Sequence, residues 1–390
     1  MSISAGGATS SGGSEPPKPP RRRIRFDAAL VADPIDKKVL ADLTWSGVLP
    51  GLRRSEIWQL LLGYRPLTHS RWTDTIEKKR NEYRRLRESL YDGSPAIAAE
   101  AESATLASTA GEGEGESGLL KQIRKDLPRT QLRGCGGSGP TALLGDLRIR
   151  GLMERVLFVW AVRQPASGYV QGLNDVLTPL LVVGLLDASG VPIEALDASV
   201  LENLSEEDLG GIEADCYWCL TKILSEIFDH YTHGQPGIQK MVQRLKEIIR
   251  RIDSPLAVHF EQENTDISNT AFRWITCLMV RDIPMACCIR LWDTLIAESA
   301  QAGGQQMGAL ASDCGSPGFE ALLVYFCACF TAYFSARLQA LDFEGITFFL
   351  QSIPTDGFGE SEMDVLLSEA YILKSMFQQA PRHLAAPEAR

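Results

Sequence analysis

The chain has 390 residues, of which 45% are hydrophobic, enough to form one or two substantial buried cores. Its formal net charge of −10 argues against general nucleic-acid binding, which depends on a basic surface. No apolar run reaches the roughly 18 residues of a membrane span, and residues 1–20 lack the apolar centre of a signal peptide. We therefore predict a soluble cytoplasmic protein that does not bind nucleic acid.

The N-terminal segment, residues 1–26, is rich in Ser, Gly and Pro and ends in a basic cluster, Arg21–Arg23 with Arg25. Such a composition predicts a disordered tail. The basic cluster could contact anionic lipid or a partner, or it could simply be solvated. We predict that one folded domain occupies residues 27–380 and that residues 381–390 form a C-terminal tail.

In the first third of the chain, apolar residues at helical spacing predict helices at 34–43, 53–63 and 72–91. Asp33 or Asp36 could cap the first of these helices, and Gly63 could end the second.

Residues 92–118 are rich in Ala, Gly, Ser and Glu and predict a mobile acidic insertion. Residues 134–140 form a second, glycine-rich flexible patch. The glycines at 113–118 formally match a dinucleotide-binding pattern. However, no strand precedes them and the intervening glutamates would repel phosphate, so we predict no nucleotide site there.

The remaining two thirds of the chain carry stronger helical patterns. Helices are predicted at 143–163, 176–186, 213–231, 237–251, 269–280, 285–298, 319–338, 342–353 and 361–379. Convincing alternating strand patterns are absent from the sequence. We therefore predict an all-α fold of many stacked helices.

Nine cysteines are present, most of them within apolar stretches. Cys216 and Cys219 form a Cys-x-x-Cys string inside a helical pattern, but no second pair follows at the spacing of a zinc site. Buried, reduced thiols explain this placement. A redox or metal-binding role for the pair is the alternative.

A polar connection around Arg129 is the first candidate for chemistry. Arg129 follows Pro128 and lies three residues after Asp126, which could orient its guanidinium. A guanidinium is planar, permanently charged and well suited to phosphoryl oxygens. On spacing alone, a surface salt bridge is the favoured interpretation.

A second polar string interrupts the apolar helices at Gln171 and Gly172. Glycine allows a tight turn, and the glutamine amide can both donate and accept hydrogen bonds. It could therefore hold a water molecule and a phosphate oxygen together. Asn174 or Asp175 could cap the helix that follows. Taken alone, this string could also be a structural loop.

Three strings in chain order resemble the signature motifs of the TBC-domain Rab GTPase-activating proteins. They are Arg54-Ser-Glu-Ile-Trp58, Ile123-x-x-Asp126-x-x-Arg129 and Tyr169-x-Gln171-Gly172. Four further strings resemble the same domain: Glu213–Trp218, Phe272–Trp274, Arg281–Pro284 and Leu291–Thr294. The resemblance covers residues 35–380, and residues 154–179 resemble the Golgi-associated branch of the family.

This resemblance implies an all-helical, V-shaped domain in which Arg129 is an arginine finger and Gln171 a glutamine finger. The other motif positions are Arg54, Trp58, Ile123, Asp126, Tyr169 and Gly172. We expect Trp58, Ile123 and Tyr169 to pack and so position the finger loops. We expect Arg54 and Asp126 to orient Arg129 through polar contacts.

The implied partner is a GTP-bound Rab GTPase, which carries the GTP and Mg²⁺, so the chain needs no cofactor or metal of its own. We expect a monomer that can associate peripherally with Golgi or other endomembranes. The chain would then be an activator of another protein's hydrolysis rather than an enzyme with its own nucleotide site. The alternative is a non-catalytic adaptor that binds a Rab through the same surface.

Overall fold

A computed structural model describes residues 20–94, 116–131, 133, 140–302 and 318–379. Every regular element among these residues is a helix, and none of them forms a strand. The predicted all-α fold is therefore confirmed. The predicted tails at 1–19 and 381–390 lie outside the described residues, as do most of the acidic insertion and nearly all of the glycine-rich patch.

Nine α-helices precede residue 230 in the described part of the chain. They are α1 Arg21–Val31, α2 Lys37–Trp45, α3 Arg54–Leu61, α4 Trp72–Arg87, α5 Glu116–Asp126, α6 Pro140–Leu143, α7 Leu147–Arg163, α8 Leu173–Ser189 and α9 Glu206–Glu226. Short 3₁₀ turns lie at His69–Arg71, Leu127–Arg129, Ile193–Ala195, Ala198–Glu202 and Phe228–His230. A π-helical turn, Glu88–Asp92, extends α4.

Eight α-helices follow among the described residues. They are α10 Pro236–Ile252, α11 Ser254–Gln262, α12 Ser268–Thr276, α13 Met285–Ala302, α14 Phe319–Tyr333, α15 Ser335–Leu338, α16 Phe343–Gln351 and α17 Glu360–Gln379. No helix in this described part of the chain combines the length and apolar composition that a membrane span needs.

The N-terminal boundary of the folded region differs from the prediction, because α1 begins at Arg21, within the segment expected to be disordered. Phe26 and Ala29 on α1 are buried. Arg22 donates hydrogen bonds to the carbonyl oxygens of Leu43, at 3.0 Å, and Gly47. Part of the basic cluster is therefore structural. Composition alone does not reveal that these arginines have backbone acceptors within the same domain.

Helices α5 and α11 were also not predicted. Helix α11 is short and has Pro255 in its first turn, so its apolar spacing is hard to recognise in the sequence. Asp253 caps this helix by accepting a hydrogen bond from the Leu256 N–H at 3.1 Å. In contrast, the predicted cap at α2 is confirmed. Asp36 accepts from the N–H groups of Lys38 and Val39 at 2.9 and 3.1 Å.

Helix α8 lies at the centre of the fold, since it packs against α3, α7, α9 and α13. Its sequence is apolar around most of the helix, as expected when almost every face is covered. The first residues of α8 nevertheless include the polar side chains Asn174, Asp175 and Thr178, all buried. Buried polar groups require partners, and those partners define the candidate site.

Candidate functional site

The two predicted finger residues lie on separate loops. Arg129 ends the 3₁₀ turn Leu127–Arg129, which directly follows α5. Gln171 lies in the loop between α7 and α8, directly before Gly172. Both side chains are exposed, whereas the residues that follow each of them in the chain, Thr130 and Gly172, are buried.

The arginine turn is anchored by apolar side chains on either side of α5's end. Ile123 and Leu127 are buried, as the packing role expected for Ile123 requires. Pro128 restricts the backbone at the start of the turn. The Arg129 side chain forms no hydrogen bond or ion pair with the described residues. The turn therefore presents a permanently charged guanidinium whose donors are all available to a partner.

The glutamine loop requires glycine at position 172. Gly172 has φ +108°, a left-handed value that side chains disfavour. A Cβ at this position would lie 3.0 Å from Thr276 Cγ2 and 3.3 Å from Cys277 Sγ. The close approach of α12 thus fixes the backbone next to Gln171, while the glutamine side chain remains exposed.

A buried asparagine connects the two loops. Asn174 Nδ2 donates to Thr130 Oγ1 at 2.9 Å, and Asn174 Oδ1 accepts from the Gly172 N–H at 3.2 Å. Thr130 is the neighbour of Arg129, and Gly172 is the neighbour of Gln171. We call these contacts the Asn174 bridge. Because one side chain bonds to both neighbours, the bridge holds the two loops together.

Tyr169 adds a second connection between the loops. Its hydroxyl lies 3.3 Å from Asp126 Oδ2 and 3.3 Å from Asn174 Oδ1, and it can donate to one of them at a time. Burial raises the pKa of Tyr169 far above its ordinary value, so the hydroxyl keeps its proton. Tyr169 is itself buried, so it packs beside the loops as expected.

An ion pair lies beneath the glutamine loop. Arg281 Nε donates to Asp175 Oδ2 at 2.8 Å, and Cys277 Sγ lies 3.6 Å from the same oxygen. Burial raises the pKa of Asp175 to about 6, an effect that the Arg281 charge opposes. This pair joins the start of α8 to the segment after α12.

The arginine turn is also fixed on its far side by Arg133. Arg133 Nη1 donates to the carbonyl oxygen of Ile353 at 2.8 Å. The Arg133 carbonyl oxygen accepts from the Met285 N–H at 3.0 Å, at the first residue of α13. The chain around Arg129 is therefore fixed to α8 on one side and to the C-terminal half of the domain on the other.

Arg54 and Trp58 meet a different buried group, Asp293 of α13. Trp58 Nε1 donates to Asp293 Oδ1 at 2.7 Å, and Arg54 Nε lies 3.2 Å from the same oxygen. The Val48 N–H donates to Asp293 Oδ2 at 2.8 Å, and Arg54 Nη2 donates to the Val48 carbonyl oxygen at 2.9 Å. We call this group the Asp293 cluster. Trp58 is buried within it, so it packs as expected.

The structure differs from the expectation that Arg54 and Asp126 orient Arg129 by polar contacts. Arg54 faces the buried carboxylate of Asp293, and Asp126 faces Tyr169. Among the described residues, neither forms a hydrogen bond or ion pair with the Arg129 side chain. Arg129 is instead positioned through its backbone, by Thr130 and Arg133 on the same loop.

Three residues with large roles here were not singled out as site residues: Asn174 as the bridge, Arg133 and Asp293. A partial signal exists for two of them. Asn174 is a polar residue at the start of an otherwise apolar core helix, and Asp293 is a carboxylate among apolar residues of α13. Such residues need buried partners, although the sequence does not identify which ones.

Replacing Asn174 with alanine is expected to destabilise the fold and to loosen both loops together. Thr130 Oγ1 and the Gly172 N–H would lose their buried partner, which costs about 1–3 kcal/mol of unfolding free energy. Amide hydrogen exchange should therefore rise at both 127–131 and 168–172. Chemical unfolding and peptide-resolved exchange measure the two effects.

Thr178→Val provides a matched control on the same helix. Thr178 is also buried, but among the described residues its hydroxyl donates only to the Asn174 carbonyl oxygen, at 2.8 Å within α8. Exchange at the two loops should stay near the original rate in this variant. Unchanged exchange at 127–131 in Asn174→Ala would show that the bridge does not hold the arginine turn.

The Cys216–Cys219 pair lies within α9 and both thiols are buried. Burial raises the pKa of each thiol well above its ordinary value, which suppresses the reactive thiolate. No group of three or more potential metal ligands occurs among the described residues. These observations favour the packing interpretation of the pair over the redox or metal alternative.

Comparison with known families identifies the class of protein. Residues 53–305 match the RabGAP-TBC family model, described as the Rab-GTPase-TBC domain. The match covers more than half of the chain and contains all three motif strings. The chain therefore belongs to the Rab-GTPase-TBC domain family, as its motifs predicted.

Similar individual proteins carry related names. The GTPase-activating protein gyp1 of Schizosaccharomyces pombe is 36% identical over 363 residues, covering 92% of this chain and 62% of that protein. TBC1 domain family member 22B of Homo sapiens is 36% identical over 360 residues, with the same two coverages. The chain thus spans 62% of the length of these two relatives.

A solved structure supports the same fold. The crystal structure of the Ypt/Rab-GAP domain of Gyp1p superimposes with a TM-score of 0.74 at 32% sequence identity. The superposition covers 92% of this chain and 98% of that domain.

Proposed function

We propose that this chain is a GTPase-activating protein for a Rab GTPase and supplies two catalytic side chains in trans. The observation that carries the proposal is the pair of exposed side chains, Arg129 and Gln171, on loops that the Asn174 bridge joins. Membership of the Rab-GTPase-TBC family and the names of the two relatives support it.

The mechanism needs positioning and charge stabilisation rather than covalent chemistry. The Rab carries GTP and Mg²⁺, and this chain contributes no cofactor of its own. Arg129 enters the nucleotide site and stabilises negative charge that develops on the transferred phosphoryl group and its bridging oxygen. Gln171 orients the attacking water in place of the Rab's own glutamine. The Asn174 bridge holds the loops of both groups together, so little ordering remains for the transition state.

Single-turnover hydrolysis by a panel of GTP-loaded Rab GTPases tests this proposal. We expect one or more of them to be accelerated by catalytic amounts of the purified chain. Binding without acceleration across the panel would instead favour a non-catalytic adaptor. Which Rab responds, the monomeric state, and peripheral association with Golgi or other endomembranes stay predictions.

Gln171→Ala is expected to lower the stimulated rate by about 10–100-fold, even on a Rab with an intact glutamine. The effect should be smaller than that at Arg129, because positioning a neutral water stabilises less charge than a guanidinium does. Single-turnover rates at saturating activator measure it. Because the side chain is exposed, the unfolding midpoint should not change.

A matched partner variant sharpens this measurement. A Rab whose own glutamine is replaced by leucine should still be accelerated by the unaltered chain and not by Gln171→Ala. Full activity of Gln171→Ala on the intact Rab would assign the water-positioning role to the Rab.

A further inference from the structure

Exposed phenylalanines lie on both of the helices next to the finger loops. Phe272 on α12 is 39% exposed, and Phe348 on α16 is 74% exposed. Large aromatic side chains usually bury most of their surface, and exposed ones next to a functional site often mark a surface for a partner.

Phe272 lies one helical turn from the glutamine loop. Thr276, four residues later on α12, donates from its Oγ1 to the Phe272 carbonyl oxygen at 2.7 Å. Residues four apart lie on the same face of a helix. Thr276 Cγ2 is also the atom that comes within 3.0 Å of a Cβ built at Gly172. The face of α12 that carries Phe272 is thus the face that packs against the glutamine loop.

Phe348 has the corresponding position beside the arginine turn. Arg133, four residues after Arg129, donates to the Ile353 carbonyl oxygen at 2.8 Å and lies 3.5 Å from Ser352 Oγ. Ser352 directly follows α16 and lies one turn after Phe348, about 6 Å along the helix axis. The C-terminal end of α16 therefore borders the loop that presents Arg129.

The two helices are bonded directly to each other. Arg273, the neighbour of Phe272, donates from Nη2 to the Leu350 carbonyl oxygen of α16 at 3.0 Å. The same guanidinium forms an ion pair with Asp282. Asp282 in turn accepts from Arg133 and from Thr355 Oγ1 through its carbonyl oxygen, at 3.3 and 2.7 Å. One hydrogen-bonded framework thus positions both phenylalanines and the arginine turn.

We propose that Phe272 and Phe348 form an aromatic docking surface for an apolar patch on the GTPase beside its nucleotide site. This proposal rests on the proposed function, because the GTPase that Arg129 and Gln171 act on is the protein that would bind to this surface. When Arg129 and Gln171 reach the nucleotide, surfaces adjoining their loops face the part of the GTPase that flanks it. Aromatic side chains that become buried on association are typical binding hot spots. Their contribution is to affinity and not to the phosphoryl-transfer step.

The test compares the double variant Phe272→Ser/Phe348→Ser with Ile372→Ser, a matched control. Ile372 on α17 is 55% exposed. Lys374, two residues after Ile372, pairs with Glu298 of α13. Glu298 lies 13 positions after Met285, the residue that bonds to Arg133, which is about 20 Å along α13. The control therefore removes exposed apolar surface far from the fingers.

Binding is measured with GTP-loaded Rab GTPases in the Arg129→Ala background, so that no stimulated hydrolysis occurs during the measurement. We expect the double variant to bind at least about tenfold more weakly and the control to bind normally. With Arg129 intact, the double variant should show a raised KM and a nearly unchanged kcat. Circular dichroism should show the same unfolding midpoint for all of these proteins.

The two proposals fail separately in this design. Binding by the double variant at the original affinity would overturn the docking surface, as would a lower kcat at unchanged KM, or a panel in which no Rab binds. Binding that depends on the phenylalanines, without acceleration of any Rab by the unaltered chain, would support the docking surface and overturn the proposed activation.

Discussion

Replacing Arg129 with alanine is expected to lower the stimulated rate of GTP hydrolysis by about 10³–10⁵-fold, equivalent to about 4–7 kcal/mol of transition-state stabilisation. This range is the usual contribution of an arginine that enters another protein's nucleotide site. The Arg129 side chain is exposed and forms no hydrogen bond or ion pair with the described residues. Its removal therefore leaves no buried partner unsatisfied, and the loss should be catalytic rather than structural.

Arg129→Lys separates charge from geometry. Lysine keeps the positive charge but loses the planar set of donors that can contact two oxygens at once, so we expect most of the activity to be lost. Lys125→Ala is the control, since it removes an exposed cation four residues earlier, on α5, without altering the turn. Single-turnover rates and binding to GTP-loaded Rab measure chemistry and association separately.

The expected pattern is a large fall in kcat for both Arg129 variants with binding largely retained, and a far smaller effect at Lys125. Full activity of Arg129→Lys would reject the arginine-finger assignment. Loss of binding in parallel with loss of rate would indicate that Arg129 contributes mainly to association.

Helical periodicity predicted most of the fold because buried faces recur every three or four residues in the long helices. It was weakest for α1 and α11. In α1 the buried residues Phe26 and Ala29 lie among arginines, and in α11 a proline interrupts a nine-residue helix. Both helices depend on contacts with the rest of the domain or on a cap, and local spacing does not report such contacts.

Within the site, the sequence indicated the side chains that carry the proposed chemistry, but it did not indicate the contacts that position their loops. Arg129 follows Pro128, which restricts the backbone, and Gln171 precedes Gly172, which permits a left-handed turn. Both neighbours are visible in the sequence. The Asn174 bridge joins positions 44 residues apart, and no local pattern encodes that pairing.

The same limit explains the interpretation of Arg54. The expectation that Arg54 orients Arg129 came from the family resemblance, because no local pattern identifies the buried partner of Arg54. The partner is Asp293, on a helix far along the chain. A motif that accompanies the fingers in sequence can thus stabilise the domain without contacting them.

The second large effect is therefore expected at Asp293, in stability rather than in catalysis. Asp293→Ala would leave Arg54 without its ion-pair partner, and the Trp58 indole N–H and the Val48 N–H without their buried acceptor. Removing one partner of such a buried charged group costs about 3–5 kcal/mol of unfolding free energy. The midpoint of chemical unfolding measures this loss.

Two further variants, Asp293→Asn and Asp364→Ala, provide comparisons for the loss of stability expected in Asp293→Ala. Asp293→Asn keeps one acceptor oxygen but loses the ion pair with Arg54, so we expect a smaller loss of about 1–3 kcal/mol. Burial raises the pKa of Asp293 against the opposing Arg54 charge, so removing the charge also removes a desolvation cost. Asp364→Ala is the control: this exposed carboxylate pairs with Arg290 at 2.9 Å, and its loss should cost at most about 1 kcal/mol.

Activity measured well below the unfolding midpoint completes the argument. The Asp293 cluster contacts neither Arg129 nor Gln171 among the described residues, so the folded fraction of Asp293→Asn should keep a kcat close to that of the unaltered chain. Equal unfolding midpoints for Asp293→Ala and Asp364→Ala would show that the cluster does not stabilise the domain. A reduced kcat in Asp293→Asn at an unchanged midpoint would instead restore the original expectation that Arg54 helps to orient the arginine finger.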